Sequence, residues 1–93
     1  MDAVRACVEI HGRVQGVFFR AETKRVADDF AVTGWVKNLD SGNVQAVIEG
    51  DRKQVEGVLR WCDGGPPMAK VTKKEVEWQE YTGEFKDFRI VYH

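Results

Sequence analysis

Residues 4–30, VRACVEIHGRVQGVFFRAETKRVADDF, change periodicity halfway, and that change decides the fold. Up to His11 the chain alternates. Val4, Ala6, Val8 and Ile10 point one way, and Arg5, Cys7, Glu9 and His11 the other, as in a strand with one buried face. From Phe19 the spacing becomes helical: Phe19, Thr23, Val26, Ala27 and Phe30 form an apolar stripe, with Glu22, Lys24, Arg25, Asp28 and Asp29 opposite. Lys24/Asp28 and Arg25/Asp29 stand four residues apart and lend the helix modest local support. At the junction, Gly12 and Gly16 bracket Arg13, Val14 and Gln15, and Arg20 enters in the first helical turn.

The rest of the chain repeats the theme. After Val32 and Thr33, GWVKNL (residues 34–39) opens a second strand. DSGN supplies turn chemistry, and NVQAVIEG (residues 43–50) alternates as a third strand, so the two form a hairpin. Asp51, with Gln54 three residues on, is placed as an N-cap for a helix whose stripe is Val55, Val58, Leu59 and Cys62. DGGPP ends that helix. AKVTKKEVEWQ (residues 69–79) reads as a long, largely exposed strand, and residues 85–93 close the chain with Phe88, Ile90 and Tyr92 on one face. The order β-α-β-β-α-β with right-handed crossovers predicts an α+β fold, a ferredoxin-like sandwich. Its sheet is antiparallel, of four or five strands, with both helices on one face.

Composition narrows the function classes. A chain of 93 residues makes a single domain, residues 1–93. Its charged residues, 31% of the chain, interleave to a net charge of −1, and no Lys/Arg block forms a nucleic-acid arm. No apolar run is long enough to span a bilayer, and MDAVRACVEI lacks the apolar core of a signal peptide, so the expected location is cytoplasmic. Cys7 falls on the polar phase of a strand and Cys62 on a helical stripe, which favours two free thiols over a disulfide. Of the two histidines, His11 and His93, the first lies on an exposed phase with no second His or Cys near it in sequence. It reads as a surface residue rather than a metal ligand or catalytic base.

The glycine-bracketed loop has a chemistry of its own. A helix N-terminus offers unpaired N–H groups and a positive dipole end, and glycines let the preceding turn curl into a backbone nest for an anion. The helical neighbours of Arg20 at three and four residues are Gly16, Val17, Thr23 and Lys24; none is acidic. Its guanidinium is therefore available for bidentate phosphate binding. On these residues alone two readings stand, an ordinary strand-to-helix turn with a solvated arginine, or a phosphate site. Asn38, at the end of GWVKN, has the same two readings: turn chemistry, or an uncharged amide that holds a water near the exit of the first strand.

GRVQGVFFR (residues 12–20) resembles the signature loop of the acylphosphatase family, and GWVKNLDSGNV (residues 34–44) resembles its second signature. The similarity runs on through VIEGD, GPP and FRIVY over essentially the whole chain. It implies the ferredoxin-like sandwich and hydrolysis of the carboxyl–phosphate bond of acyl phosphates to a carboxylate and inorganic phosphate. Carried over residue by residue, the phosphate cradle is Gln15, Gly16, Val17, Phe18 and Phe19, Arg20 is the phosphate-binding arginine, and Asn38 positions the attacking water. Neither metal nor cofactor is implied. The implied partner is a small-molecule acyl phosphate, with inorganic phosphate as product and inhibitor, acting on a monomer without nucleic acid or membrane. Many relatives have Thr after the second-signature Asn, where this chain has Leu39. Ser41 is a candidate replacement for that hydroxyl.

Other classes share the element order. An RNA-recognition module needs base-stacking aromatics on its central strands, and VQAVIEG has none. A ligand-sensing domain needs no dedicated phosphate loop. The same module also opens larger carbamoyl-transfer proteins of hydrogenase maturation; with no further domain in this chain, a free-standing enzyme is the expectation.

Overall fold

The alternating run folds as β1 (Ala3–Arg13) in a computed structural model that describes residues 2–92. Val4, Ala6, Val8 and Ile10 are buried, as their phase requires. Then follow α1 (Phe19–Asp29), β2 (Thr33–Asn38), β3 (Val44–Asp51), α2 (Arg52–Trp61), β4 (Lys70–Gln79) and β5 (Phe88–Val91). The stripes on α1 (Phe19, Thr23, Val26, Ala27) and α2 (Val55, Val58, Leu59, with Cys62 just beyond) are buried in one core with the inward residues of β1, β2 and β3. Both helices therefore cover the same face of the sheet. Lys24–Asp28 and Arg25–Asp29 form the two anticipated ion pairs along α1. Asp51 occupies the N-cap position of α2, but its side chain makes no capping hydrogen bond.

Strand order is β4-β1-β3-β2-β5. The first four strands pair antiparallel, whereas β5 runs parallel to β2. The sheet is thus mixed, not antiparallel throughout. The reason is the connection. β4 ends where β2 begins, and residues 80–87 cross that end of the sheet, so the chain enters β5 pointing the same way as β2. β5 is also shorter than residues 85–93 implied. Tyr92 lies just past it, and His93 lies outside the described residues.

The crossing connection explains a buried acid. Glu49 is on the face away from the helices, directly opposite Arg5 in the β1–β3 register, and is 0% exposed. Arg5 Nη1 donates to its Oε2 at 3.1 Å, Thr82 donates from N at 2.9 Å and from Oγ1 at 2.8 Å, and Gly83 N donates to Oε1 at 3.1 Å. Burial, the strongest single influence, pushes this carboxyl upward, but the donors from Thr82, Arg5 and Gly83 together outweigh it and hold it below the ordinary glutamate value. Cys7 lies on this open face and Cys62 in the core beneath α2, so the sheet separates them and both thiols are free. Burial pushes the Cys62 thiol up to about 12.

Removing the acid leaves the N–H groups of Thr82 and Gly83 without their acceptor, while Arg5 keeps Glu84 at 2.7 Å and Gln79 at 2.9 Å. Glu49→Ala is expected to cost about 2 kcal/mol in urea unfolding, the usual loss when hydrogen-bond donors are left unsatisfied. The pH dependence follows from the lowered carboxyl. Its contribution is complete above the ordinary glutamate value and is lost as pH falls through the lower folded value. Below about pH 4 the native chain should lose unfolding free energy more steeply than Glu49→Gln does.

Candidate active site

Because β1 and β2 are both antiparallel to β3, their C-terminal ends emerge at the same end of the sheet. The loop after β1 and Asn38 at the end of β2 therefore meet there. Gly12 belongs to the strand, not to the loop: β1 continues to Arg13 through a register shift between His11 and Gly12. Its φ is +121°, and a Cβ would lie 2.1 Å from the Lys70 carbonyl oxygen, so this glycine serves close approach of β4.

Gly16 does shape the loop. Its φ is +73°, yet a Cβ there would meet nothing within 4 Å, so backbone conformation rather than space calls for glycine. Phe18 also has a left-handed φ, 65°, uncommon and costly for a bulky residue, and its side chain is 73% exposed. Positive φ at residues 16 and 18, alternating with ordinary φ at Gln15, Val17 and Phe19, is the backbone pattern of an anion nest. Among the described residues no oxygen accepts from the backbone N–H groups of residues 15–19. They open α1, where the helix dipole adds positive potential. Phe19 anchors the loop in the core, its ring centroid 5.5 Å from that of Trp61.

Gly16, Phe18, Phe19, Arg20 and Asn38 line one pocket of about 260 Å³, with Val14, Ala21, Ile90 and Tyr92 completing its wall. Gln15 and Val17 do not line it. Val17 is buried in the core, and the Gln15 amide donates to the carbonyls of Leu39 at 2.8 Å and Asn43 at 2.9 Å. Arg20 makes no ion pair with any described residue; its guanidinium lies 5.0 Å from the Tyr92 ring centroid, which covers one face and leaves the N–H edges free. Asn38 Oδ1 is the one buried side-chain polar atom without a hydrogen-bond partner among the described residues. Leaving such an acceptor unpaired costs roughly 1–3 kcal/mol, the mark of a group awaiting a ligand or water.

His11 and Ser41, also near this end, are occupied. His11 Nε2 contacts Glu75 Oε1 at 2.6 Å, and its Nδ1 faces Asn43 Nδ2 at 3.2 Å, so it braces the β2–β3 turn. Ser41 Oγ accepts from Asn43 N at 3.4 Å within the same turn. Among the described residues no group of three or more His, Cys, Asp and Glu is arranged to hold a metal. Sequence reasoning missed the Gln15 side-chain bonds, Ile90 and Tyr92 in the wall, and the strained Phe18. Each depends on how distant segments meet, and no local pattern signals it.

Comparison with known proteins identifies the family. A family model described as Acylphosphatase matches residues 6–90. The chain is 51% identical over 92 residues to an acylphosphatase of Pelotomaculum thermopropionicum, covering 99% of this chain and 100% of that protein. It is 53% identical over 92 residues to an acylphosphatase of Pyrobaculum aerophilum, covering 98% and 97%. Its fold matches the structure of an acylphosphatase from Coxiella burnetii with a TM-score of 0.92 at 36% identity, over 97% of this chain and 94% of that one. With both signature segments inside these matches, the chain belongs to the acylphosphatase family.

Proposed function

We propose that this acylphosphatase-family enzyme cleaves the carboxyl–phosphate bond with a backbone cradle and two side chains. The N–H groups of Gln15, Gly16, Val17, Phe18 and Phe19 receive the phosphoryl oxygens, and Arg20 adds a bidentate fork. Asn38 takes a water through its unpartnered oxygen and aims it at phosphorus. The observation that carries this reading is the placement of that orphaned acceptor on the same pocket as Arg20, which makes no ion pair with any described residue.

The step balances simply. The water oxygen bonds to phosphorus as the bond from phosphorus to the acyl oxygen breaks, and the carboxylate leaves with the electron pair. The water's proton passes to a non-bridging phosphate oxygen. A carboxylate is a good leaving group, so alignment and charge stabilisation matter more than a strong base. The scheme calls on no metal or cofactor. All its groups lie within residues 15–38 of one chain, which supports a monomeric single-domain enzyme acting on a small-molecule acyl phosphate, and the cytoplasm is the location proposed for it. No helix among the described residues is long and apolar enough to cross a membrane.

Purified protein is expected to hydrolyse benzoyl phosphate without added metal, with inorganic phosphate as a competitive inhibitor. Arg20→Ala should lower kcat/KM on the order of 10²–10³-fold, the usual loss for a preorganised charge-stabilising donor. Arg20→Lys should fail as well, because a point charge cannot reproduce the fork; retention of full turnover in either variant would overturn the assignment of Arg20.

The second prediction separates binding from catalysis. Inorganic phosphate at about 100 times its Kd should stabilise the protein by ~2.7 kcal/mol in thermal unfolding. Asn38→Ala should keep that stabilisation while kcat falls. Equal losses in both would mean that Asn38 binds phosphate rather than water.

A further inference from the structure

We infer that the Gln15 side chain is a positioning residue that fixes Asn38 relative to the phosphate cradle, an inference that rests on Asn38 being the water-binding amide. Gln15 Nε2 donates to Leu39 O at 2.8 Å and to Asn43 O at 2.9 Å. A primary amide has two N–H groups, and both are committed. Neither remains for a phosphate, so the side chain acts through what it grips.

What it grips is the turn that follows Asn38. Leu39 N donates to Asn43 O at 2.8 Å, and Gly42 N donates to Leu39 O at 3.1 Å. Each of these carbonyls uses one lone pair within the turn and offers the other to Gln15. Because both acceptors are carbonyls, the orientation of the Gln15 amide is fixed by its partners. Among the described residues these are the only hydrogen bonds between residues 14–19 and 39–43.

Asn38 itself has no such hold. Its Oδ1 has no hydrogen-bond partner among the described residues, so its place follows that of its backbone. That backbone is the last paired position of β2, opposite Val44, immediately before the gripped turn. Gln15 lies in the cradle on one side and binds the turn on the other. It sets the distance between the phosphoryl group and the water.

Displacement of a reacting group by about 1 Å can cost on the order of 10²-fold in rate. Gln15→Met keeps the backbone N–H and the side-chain length but removes both donors. Its kcat on benzoyl phosphate should fall about 10-fold or more, with the inhibition constant for inorganic phosphate within about threefold of the parent. If Met upsets folding, Gln15→Asn, one methylene too short to reach the turn, should show the same split. Adding Gln15→Met to Asn38→Ala should give no further loss of kcat, because the two act as one unit. An unchanged kcat in the folded single variant, a parallel fall in phosphate affinity, or full additivity in the double variant would overturn the inference. Asn38→Ala alone tells the two failures apart. If it leaves kcat intact, the reading of Asn38 falls; if it lowers kcat while Gln15→Met does not, only the positioning role falls.

Discussion

The pairing of β3 on both of its edges is the constraint on which the molecule depends. This strand is buried at five of its eight positions, and the backbone N–H and C=O groups enclosed along it need partners. β1 and β2 supply those partners in the same sense, each antiparallel to β3. Their far ends are thereby set side by side, separated by the width of one strand. The loop before α1 and the amide of Asn38 meet as a result of sheet geometry. α1 also carries Arg20 into the pocket, and burial of both helical stripes keeps that sheet in place.

Within this frame the proposed anion site is built largely from backbone. N–H donors on a fixed loop lose no side-chain freedom when they bind, unlike long flexible side chains. The loop is held in a costly shape: Phe18 sits at a left-handed φ, and the oxygen of Asn38 goes without a partner. Phe19 in the core and Gln15 on the neighbouring turn hold it there. Such strain concentrates at functional positions, and here both instances fall on one pocket.

Burial phase was legible in the chain from its start. The alternation in residues 4–11 and the stripe beginning at Phe19 each predicted the face that the structure buries. Of the residues that the two signature segments pointed to, Gly16, Phe18, Phe19, Arg20 and Asn38 line one pocket, whereas Gln15 and Val17 do not. The direction of β5 was not legible, because it depends on where the connection from β4 crosses rather than on any pattern within FRIV. Glu49 illustrates the same limit. In sequence it occupies the outward phase of β3, and only the β1–β3 register and the crossing residues Thr82 and Gly83 reveal that it is enclosed. Gly12 was assigned to the loop because a glycine after an alternating run signals a turn. The close approach of β4 that requires it becomes visible only with both strands in place.

Asn38 and Arg20 are separated by a helix and a strand in sequence and are joined in space through a third strand that follows both. A nascent or refolding chain that has made only its first helix and strands has the loop but no β3 to align it. The geometry of the proposed site therefore arises from long-range pairing of the kind that completes late in folding. Enzymatic turnover in this protein serves as a built-in gauge of whether the sheet has closed.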